Sequence, residues 1–452
     1  MADYLPHTPD EVGEMLSFIG MGSLDDLFAH IPEALRLAGG LDIPAGRAEP
    51  DVAVEVARWG DANRAAGLTC FAGGGAYDHE IPSVVRALAS RSEFVTAYTP
   101  YQPEVAQGVL QALFEYQSLV SRLSGLPIAN ASLYDGATAL VEALNLAHGA
   151  TGRSRMLVSA GVHPHWRRVA ATFASGTGHE IEIVPLRDGV TDWSSAHAGD
   201  DVAAVVAAYP NYLGALEPLD AARTVANERG GLLVVAGDPV SAALVRSAGE
   251  WGADVYVGEG QAFGTPLSFG GPYLGLFAVR EDQVRRLPGR IVGETVDAEG
   301  RRAFVTTLRA REQDIRREKA TSNVCTNQTL IAVTAAIQLG WLGTRGLAEV
   351  ARACAVGAHA LFDEVTSLPG VAPAHGSPFV REFAIRLARP ASEVVEAMAG
   401  EGILAGLSVG ALTGGADPSI EDPDHVLLVS VTERRTRAEL DHYVSTLGKV
   451  VR

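Results

Sequence analysis

Three segments of this 452-residue chain hold side chains whose types and spacing could do chemistry. The first is Ser132-Leu133-Tyr134-Asp135-Gly136-Ala137-Thr138-Ala139, which leads into an apolar helix with Leu140, Glu142, Ala143 and Leu144. Small residues at a helix N-terminus bring backbone N–H groups onto a phosphate. The preferred alternative is that Asp135 caps the helix, since an aspartate at the mouth of such a cup repels phosphate. The second is the apolar run Leu232–Ala236 followed by Gly237-Asp238-Pro239. An acid at the C-terminal end of a strand sits where α/β proteins bind ligands; the alternative is an ordinary turn aspartate. The third is the run Ala253-Asp254-Val255-Tyr256-Val257-Gly258-Glu259-Gly260-Gln261, followed by the glycine loop Leu267-Ser268-Phe269-Gly270-Gly271-Pro272.

A strand-end acid, then a later strand, a polar turn and a glycine loop is the layout around the lysine that holds pyridoxal phosphate (PLP), with the acid paired to the pyridine nitrogen. Here the turn carries Gln261, and an amide cannot form an imine. Among 36 lysines and arginines the only lysines are Lys319, beyond the next strand, and Lys449, close to the C-terminus. Neither position suits the role. Other signatures are weaker. Gly73-Gly74-Gly75 and Gly258–Phe263 both fail G-x-G-x-x-G, and there is no GxxxxGK[ST]. His163-Pro164-His165 lacks a third metal ligand and reads as structural. His163 is alternatively the remnant of a ring-stacking residue.

The elements that must position these residues follow from periodicity. Residues 1–50 read as a helical arm, with helix starts at Thr8-Pro9-Asp10-Glu11 and Ser23-Leu24-Asp25-Asp26. Residues 51–330 alternate helices with short, continuously apolar runs: Met156–Ser159, Ile181–Val184, Val202–Ala208, Leu232–Ala236, Asp254–Val257 and Leu274–Val279. That pattern predicts a mostly parallel sheet covered on both faces. The helix with Leu110, Leu113, Phe114, Val120 and Leu123 has one polar member in its stripe, Gln117. Residues 331–452 predict a smaller α/β domain, entered through a long helix around Thr329–Phe362. Its strands are Glu382–Leu387 and His425–Val431, and its last helix opens on a Thr436–Glu439 capping box.

The chain is 47% hydrophobic and 20% charged, with net charge −18. An acidic surface argues against nucleic acid and anionic membranes as partners. The scattered Cys70, Cys325 and Cys354 suggest a reducing compartment. No stretch approaches ~18 uninterrupted apolar residues, and Met1–Asp10 has no signal-peptide pattern. A cytoplasmic metabolic protein is the expectation.

Further motifs carry a resemblance. They are Tyr4-Leu5-Pro6-His7-Thr8-Pro9, Phe71-Ala72-Gly73-Gly74-Gly75-Ala76-Tyr77-Asp78-His79, Tyr98-Thr99-Pro100-Tyr101-Gln102-Pro103-Glu104, Ala129-Asn130-Ala131-Ser132, Tyr209-Pro210-Asn211, Gly258-Glu259-Gly260-Gln261, Ser268–Tyr273 and Ser322-Asn323-Val324-Cys325-Thr326-Asn327. Nearly end to end, the chain resembles the P-protein (glycine dehydrogenase, decarboxylating) family of the glycine cleavage system, and within it the alpha subunits (subunit 1). The resemblance implies an aspartate-aminotransferase-like PLP fold (fold type I) and a heterotetramer of two alpha and two beta chains. The homologous beta subunit carries the lysine and PLP. This chain then binds no cofactor and no metal, with Gln261 at the lost lysine position. It also implies the chemistry: PLP acts as electron sink while glycine loses carbon dioxide, and the aminomethyl group passes to the lipoyl disulfide of H-protein.

On that reading Tyr98, Tyr101, Gln102 and Glu104 are the candidates for lining a shared site, stiffened by Pro100 and Pro103. The alternative is that both tyrosines bury against the partner chain. Ser268, Gly270 and Gly271 are candidates to approach the partner's cofactor phosphate, the alternative being tight backbone packing. Two competing functions stand beside this: a PLP enzyme acting alone through a displaced Lys319, and a non-catalytic scaffold that stabilises the beta subunit or docks H-protein.

Overall fold

The computed structural model describes residues 6–37, 41–96, 98–196, 199, 201–414 and 419–452. The backbone divides into two compact units, residues 1–64 and 65–452.

In the first unit, α1 (Pro9–Phe18) opens on a capping box. The Thr8 hydroxyl accepts from Glu11 N at 3.3 Å and the Glu11 carboxylate accepts from Thr8 N at 2.7 Å. Ser23 and Asp26 form a second box at the 3-10 turn Leu24–Phe28. Between Leu35 and the helix α2 (Glu49–Asp61), large apolar side chains stay in solvent, and α2 itself buries none of its residues.

The second unit is built on a seven-stranded sheet. In chain order its strands are β1 (Ile128–Ala129), β2 (Arg155–Ser159), β3 (Glu180–Val184), β4 (Val202–Tyr209), β5 (Leu232–Gly237), β6 (Val255–Glu259) and β7 (Gly275–Val279). Their spatial order is β1-β7-β6-β5-β4-β2-β3. The five strands from β6 to β3 run parallel, and β7 is antiparallel to both neighbours. Along β4, Val205 and Ala207 join a core with α3 (Gln107–Ser124) and α6 (Asp220–Arg229). Ala204 and Val206 point the other way, toward α4 (Gly136–Thr151) and α5 (Pro164–Thr177). Both faces are covered, so both phases of the two-residue repeat are apolar.

The expected strands are all present, with ends shifted by one or two residues in all but Glu382–Leu387. Just before β6, the Asp254 carboxylate accepts from Leu233 N at 2.8 Å and from Arg223 at 2.7 Å. Gln117 pairs its amide with both backbone groups of Val292, each at 2.9 Å, so the polar member of the stripe stands in for a strand partner.

A long helix, α7 (Thr329–Thr366), leads into the second sheet. Its composition matches a membrane span. Its buried face instead packs on α3 and on α8 (Arg437–Val450), and Gly343 at φ +59° breaks it. The sheet is antiparallel in the order β8-β9-β11-β10, with strands β8 (Val371–Pro373), β9 (Glu382–Leu387), β10 (Leu407–Ser408) and β11 (Val426–Ser430). Helix α8 opens on the expected Thr436–Glu439 box.

Candidate functional site

The C-terminal ends of β5 and β6, the start of β9 and the loop 71–81 line a cleft. Asp238 follows β5 into it. Its two oxygens accept from Arg381 Nη2 at 2.6 Å and Nε at 2.9 Å, and Ser241 Oγ donates to it at 2.5 Å. Burial works to raise this carboxyl, and the Arg381 guanidinium outweighs it, so the group lies below the ordinary carboxylate value. The guanidinium lies 3.6 Å from the Tyr77 ring centre. Its remaining nitrogen donates to His79 Nε2, which fixes the proton on Nδ1 for donation to Glu433 at 2.7 Å.

Glu382, next along β9, accepts from Gly74 N at 2.6 Å and from the Tyr77 hydroxyl at 3.0 Å. Burial pushes its carboxyl up to about 7. Glu259, at the end of β6, accepts from Gly136 N, Leu274 N and Gln261 N at 3.0, 3.0 and 3.1 Å. Burial pushes it up to about 8 against those three donors. His163 faces the same cleft, 5.0 Å from the Tyr212 ring and stacked toward Trp166. Its Nδ1 accepts from His165 N at 3.0 Å, and burial lowers its value to about 4, so the ring is neutral. The Tyr212 hydroxyl is buried in the wall of the cleft with no hydrogen-bond partner.

Gln261 is 1% exposed and fully bonded. Its amide accepts from Tyr77 N at 2.9 Å and donates to Tyr77 O at 3.0 Å and Thr265 O at 2.7 Å. Asp135 is the cap of α4, taking Thr138 N at 2.8 Å. The capping alternative therefore holds there, and the N–H of Gly136 goes to Glu259. Lys319 and Lys449 are both exposed and neither lines the cleft.

Among the described residues, His79, Cys354 and Glu433 form a trio whose ligand atoms lie within 4.8 Å of one another. It is poorly suited to a metal. Both His79 nitrogens are engaged, Arg381 adds a positive charge beside it, and burial pushes the Cys354 thiol up to about 12.

The Tyr98–Glu104 segment gathers elsewhere. Thr99, buried at its centre, bonds Thr326 at 2.9 Å and Asn327 at 3.2 Å. Asn327 in turn donates to Ala131 O at 2.7 Å. Three of the sequence motifs thus converge on one place. The rings of Tyr98 and Tyr101 meet edge-on at 5.7 Å. The Tyr101 hydroxyl accepts from Arg290, which is buried in an ion pair with Glu312. Arg309 lies over the Tyr101 ring at 5.4 Å. Tyr98 is 65% exposed, and Gln102 and Glu104 are also in solvent. Ser268, Gly270 and Gly271 stand on a separate exposed loop after the Gln261 turn. Gly270 has φ +103°, and a Cβ there would meet nothing within 4 Å. Within this chain the glycine answers to backbone conformation, and the tight-packing alternative is not what the loop shows. Tyr4 and Leu5 lie outside the described residues.

Arg381, Glu382, Tyr77 and Tyr212 were not singled out from sequence as site residues. One signal was available: Arg381-Glu382 is a charged doublet set between Phe379-Val380 and Phe383-Ala384, where a buried strand begins.

Comparison with known proteins agrees with this layout. The sequence profile of the family "Glycine cleavage system P-protein" matches residues 2–447. A probable glycine dehydrogenase (decarboxylating) subunit 1 from Geobacillus kaustophilus is 46% identical over 448 residues, 98% of each chain. The crystal structure of a glycine decarboxylase (P-protein) of the glycine cleavage system in inhibitor-bound form superposes with TM-score 0.90 at 44% identity, covering 99% of this chain and 100% of that one. A cysteine desulfurase from Escherichia coli, at 15% identity, shares the fold with TM-score 0.62 over 85% of this chain and 95% of that one. The architecture is the aspartate-aminotransferase-like fold type I, and the chain belongs to the glycine cleavage system P-protein family.

Proposed function

We propose that this chain is the cofactor-free subunit 1 of a two-part glycine decarboxylase. A homologous, lysine-bearing subunit holds PLP, glycine is the substrate, and a lipoylated H-protein receives the aminomethyl group. One observation carries the reading: the residues at the end of β5 and β6 do not fit PLP. The lysine position is a buried, fully bonded Gln261, and the acid that would meet a pyridine nitrogen is held by Arg381 from two directions. The printed name of the Geobacillus relative, a subunit 1, supports a partner chain. An assembly of two alpha and two beta chains in the cytoplasm completes the proposal. Its domain partition is a helical arm over 1–50, a large domain over 51–330 and a small domain over 331–452.

In this assembly the chain's contribution is the Tyr98–Glu104 segment, offered to the partner's site. Tyr101 is oriented by Arg290 and by Cys325 O, to which its hydroxyl donates at 3.4 Å, and a phenol so held can position a small substrate or the lipoyl arm. The test is reconstitution with the lysine-bearing homologue, followed by exchange of labelled bicarbonate into glycine. Exchange should require both chains. Tyr101→Phe should lower it at least tenfold, equivalent to about 1.4 kcal/mol of positioning, while the pair still assembles. Full exchange by the partner alone overturns the catalytic reading in favour of a scaffold. Normal exchange and assembly with both Tyr98→Phe and Tyr101→Phe removes the site-lining role.

A further inference from the structure

We infer that the chain's own side chains occupy the positions of the missing cofactor's functional contacts one by one, so that PLP is excluded by occupation and not only by the absence of a lysine. This rests on the reading that PLP is held by a partner, and it goes further by stating what returning a lysine would not achieve.

Three contacts define such a cofactor site: an acid for the ring nitrogen, a helix N-terminus for the phosphate and a lysine for the aldehyde. Each is already filled. Asp238 meets a guanidinium through both oxygens, and that guanidinium is itself held between the Tyr77 ring and His79. A ring nitrogen at Asp238 would have to compete with that guanidinium for both oxygens. At the N-terminus of α4, Gly136 N donates to the Glu259 carboxyl, which also gathers Leu274 N and Gln261 N. Trp166 lies over the same point: a Cβ on Gly136 would fall 2.1 Å from its ring. The Glu259 carboxyl therefore takes the N–H that a phosphate would need, with the indole beside it. At the lysine position, Gln261 binds both backbone groups of Tyr77. A lysine there would leave Tyr77 N, in the interior, without its acceptor.

Two of the three positions are tied together by Tyr77: its backbone holds Gln261 and its ring carries Arg381, while its hydroxyl donates to Glu382. Gln261 and Arg381 thus fill two of the positions and hold the loop 71–81 at the same time. Returning the lysine alone therefore does not reopen the site.

The experiment uses full-length chains incubated with PLP, reduced with borohydride and mapped by peptide mass. Wild type should show only background label on the exposed Lys319 and Lys449. Gln261→Lys should show no label at position 261. The triple variant with Glu259→Ala and Arg381→Ser added should be labelled at position 261 with close to one equivalent. Label near one equivalent at position 261 in Gln261→Lys alone overturns the inference, as does a folded triple variant labelled no more than that single one. Should the triple variant not fold, Glu259→Ala alone decides. Inorganic phosphate should raise its Tm by about 2 °C, the size expected for a ligand well above its Kd in a chain of this length, and should leave the wild type unmoved. No rise, or an equal rise in wild type, overturns the inference. A stoichiometric yellow adduct on Lys319 of the wild type would instead sink the functional reading, so the two failures are distinct.

Discussion

Replacing Arg381 by methionine keeps an apolar stem under the Tyr77 ring and removes the guanidinium. Asp238 then retains the Ser241 hydroxyl at 2.5 Å and the amides of Val240 and Ser241 at 3.3 and 3.2 Å, but loses both charge-assisted bonds. Breaking a buried ion pair from one side costs about 3–5 kcal/mol. The lost cation over a desolvated ring is worth up to about 2 kcal/mol, but the two overlap in one side chain. The expected loss is therefore about 4 kcal/mol. Adding Asp238→Asn removes the stranded charge, and the double variant should be at least about 1.5 kcal/mol more stable than the sum of the singles implies. Urea unfolding of the full-length chain, followed by tryptophan fluorescence and far-UV circular dichroism, reads both quantities. The pH response adds a sign. In wild type Asp238 titrates below its ordinary value, so its contribution is complete at neutral pH and lost only as pH falls through the acid range. In Arg381→Met burial is opposed only by the remaining hydrogen bonds and His79 and raises the carboxyl, so the Asp238 contribution is greatest at low pH and declines as pH climbs. Between about pH 4 and 7 the Asp238 contribution should be flat in wild type and falling in the variant. A loss under about 1 kcal/mol, an additive double variant, or no change in that slope would refute the idea that this pair holds the cleft.

Two other outcomes follow from the same neighbourhood. Glu382 is pushed by burial from 4.5 up to about 7; a carboxyl raised in this way stabilises fully below its unfolded value and loses that contribution as pH rises through its folded one. The shift is worth about 3 kcal/mol, so the stability gap between wild type and the non-titrating Glu382→Gln should move by that amount between pH 4.5 and 8, and a constant gap would show that Glu382 is not the titrating group. Gly214 sits at φ +85° with the position of a Cβ 2.0 Å from Glu382 O. Gly214→Ala should cost more than about 2 kcal/mol in thermal unfolding, and a neutral effect would mean that the backbone there can move away.

What was legible in the sequence was local. Strand β4 announces itself as eight residues of Val, Ala and Tyr, because a strand covered on both faces needs no polar phase. The Thr8, Ser23 and Thr436 capping boxes can be read from four-residue windows, since donor and acceptor lie in the same turn. From its place between a strand and a glycine loop, Gln261 was read as standing at a lysine position. Its real occupation was not legible, because Tyr77 lies 184 positions away in the chain. Arg381 was missed for the same reason: its partner Asp238 is 143 positions distant, and nothing near either residue signals the other.

The two places where the motifs converge differ in a way that bears on what each is for. Around Asp238 nearly every polar group is buried and answered from within the chain, with the Tyr212 hydroxyl the unbonded exception in its wall. A buried donor or acceptor left alone costs about 1–3 kcal/mol, and here Arg381, Glu259 and Gln261 answer their buried neighbours from within the chain. No such pressure explains Tyr98, which is 65% exposed, or Phe269, which is 92% exposed on a loop whose backbone is held at positive φ. Exposed aromatics held on constrained segments add little to the stability of the chain that carries them, and they are well suited to contact with another molecule. The cleft is thus accounted for by the folding of this chain, and on the proposed reading the surface around Tyr98 and Tyr101 is where work with a partner should be measured.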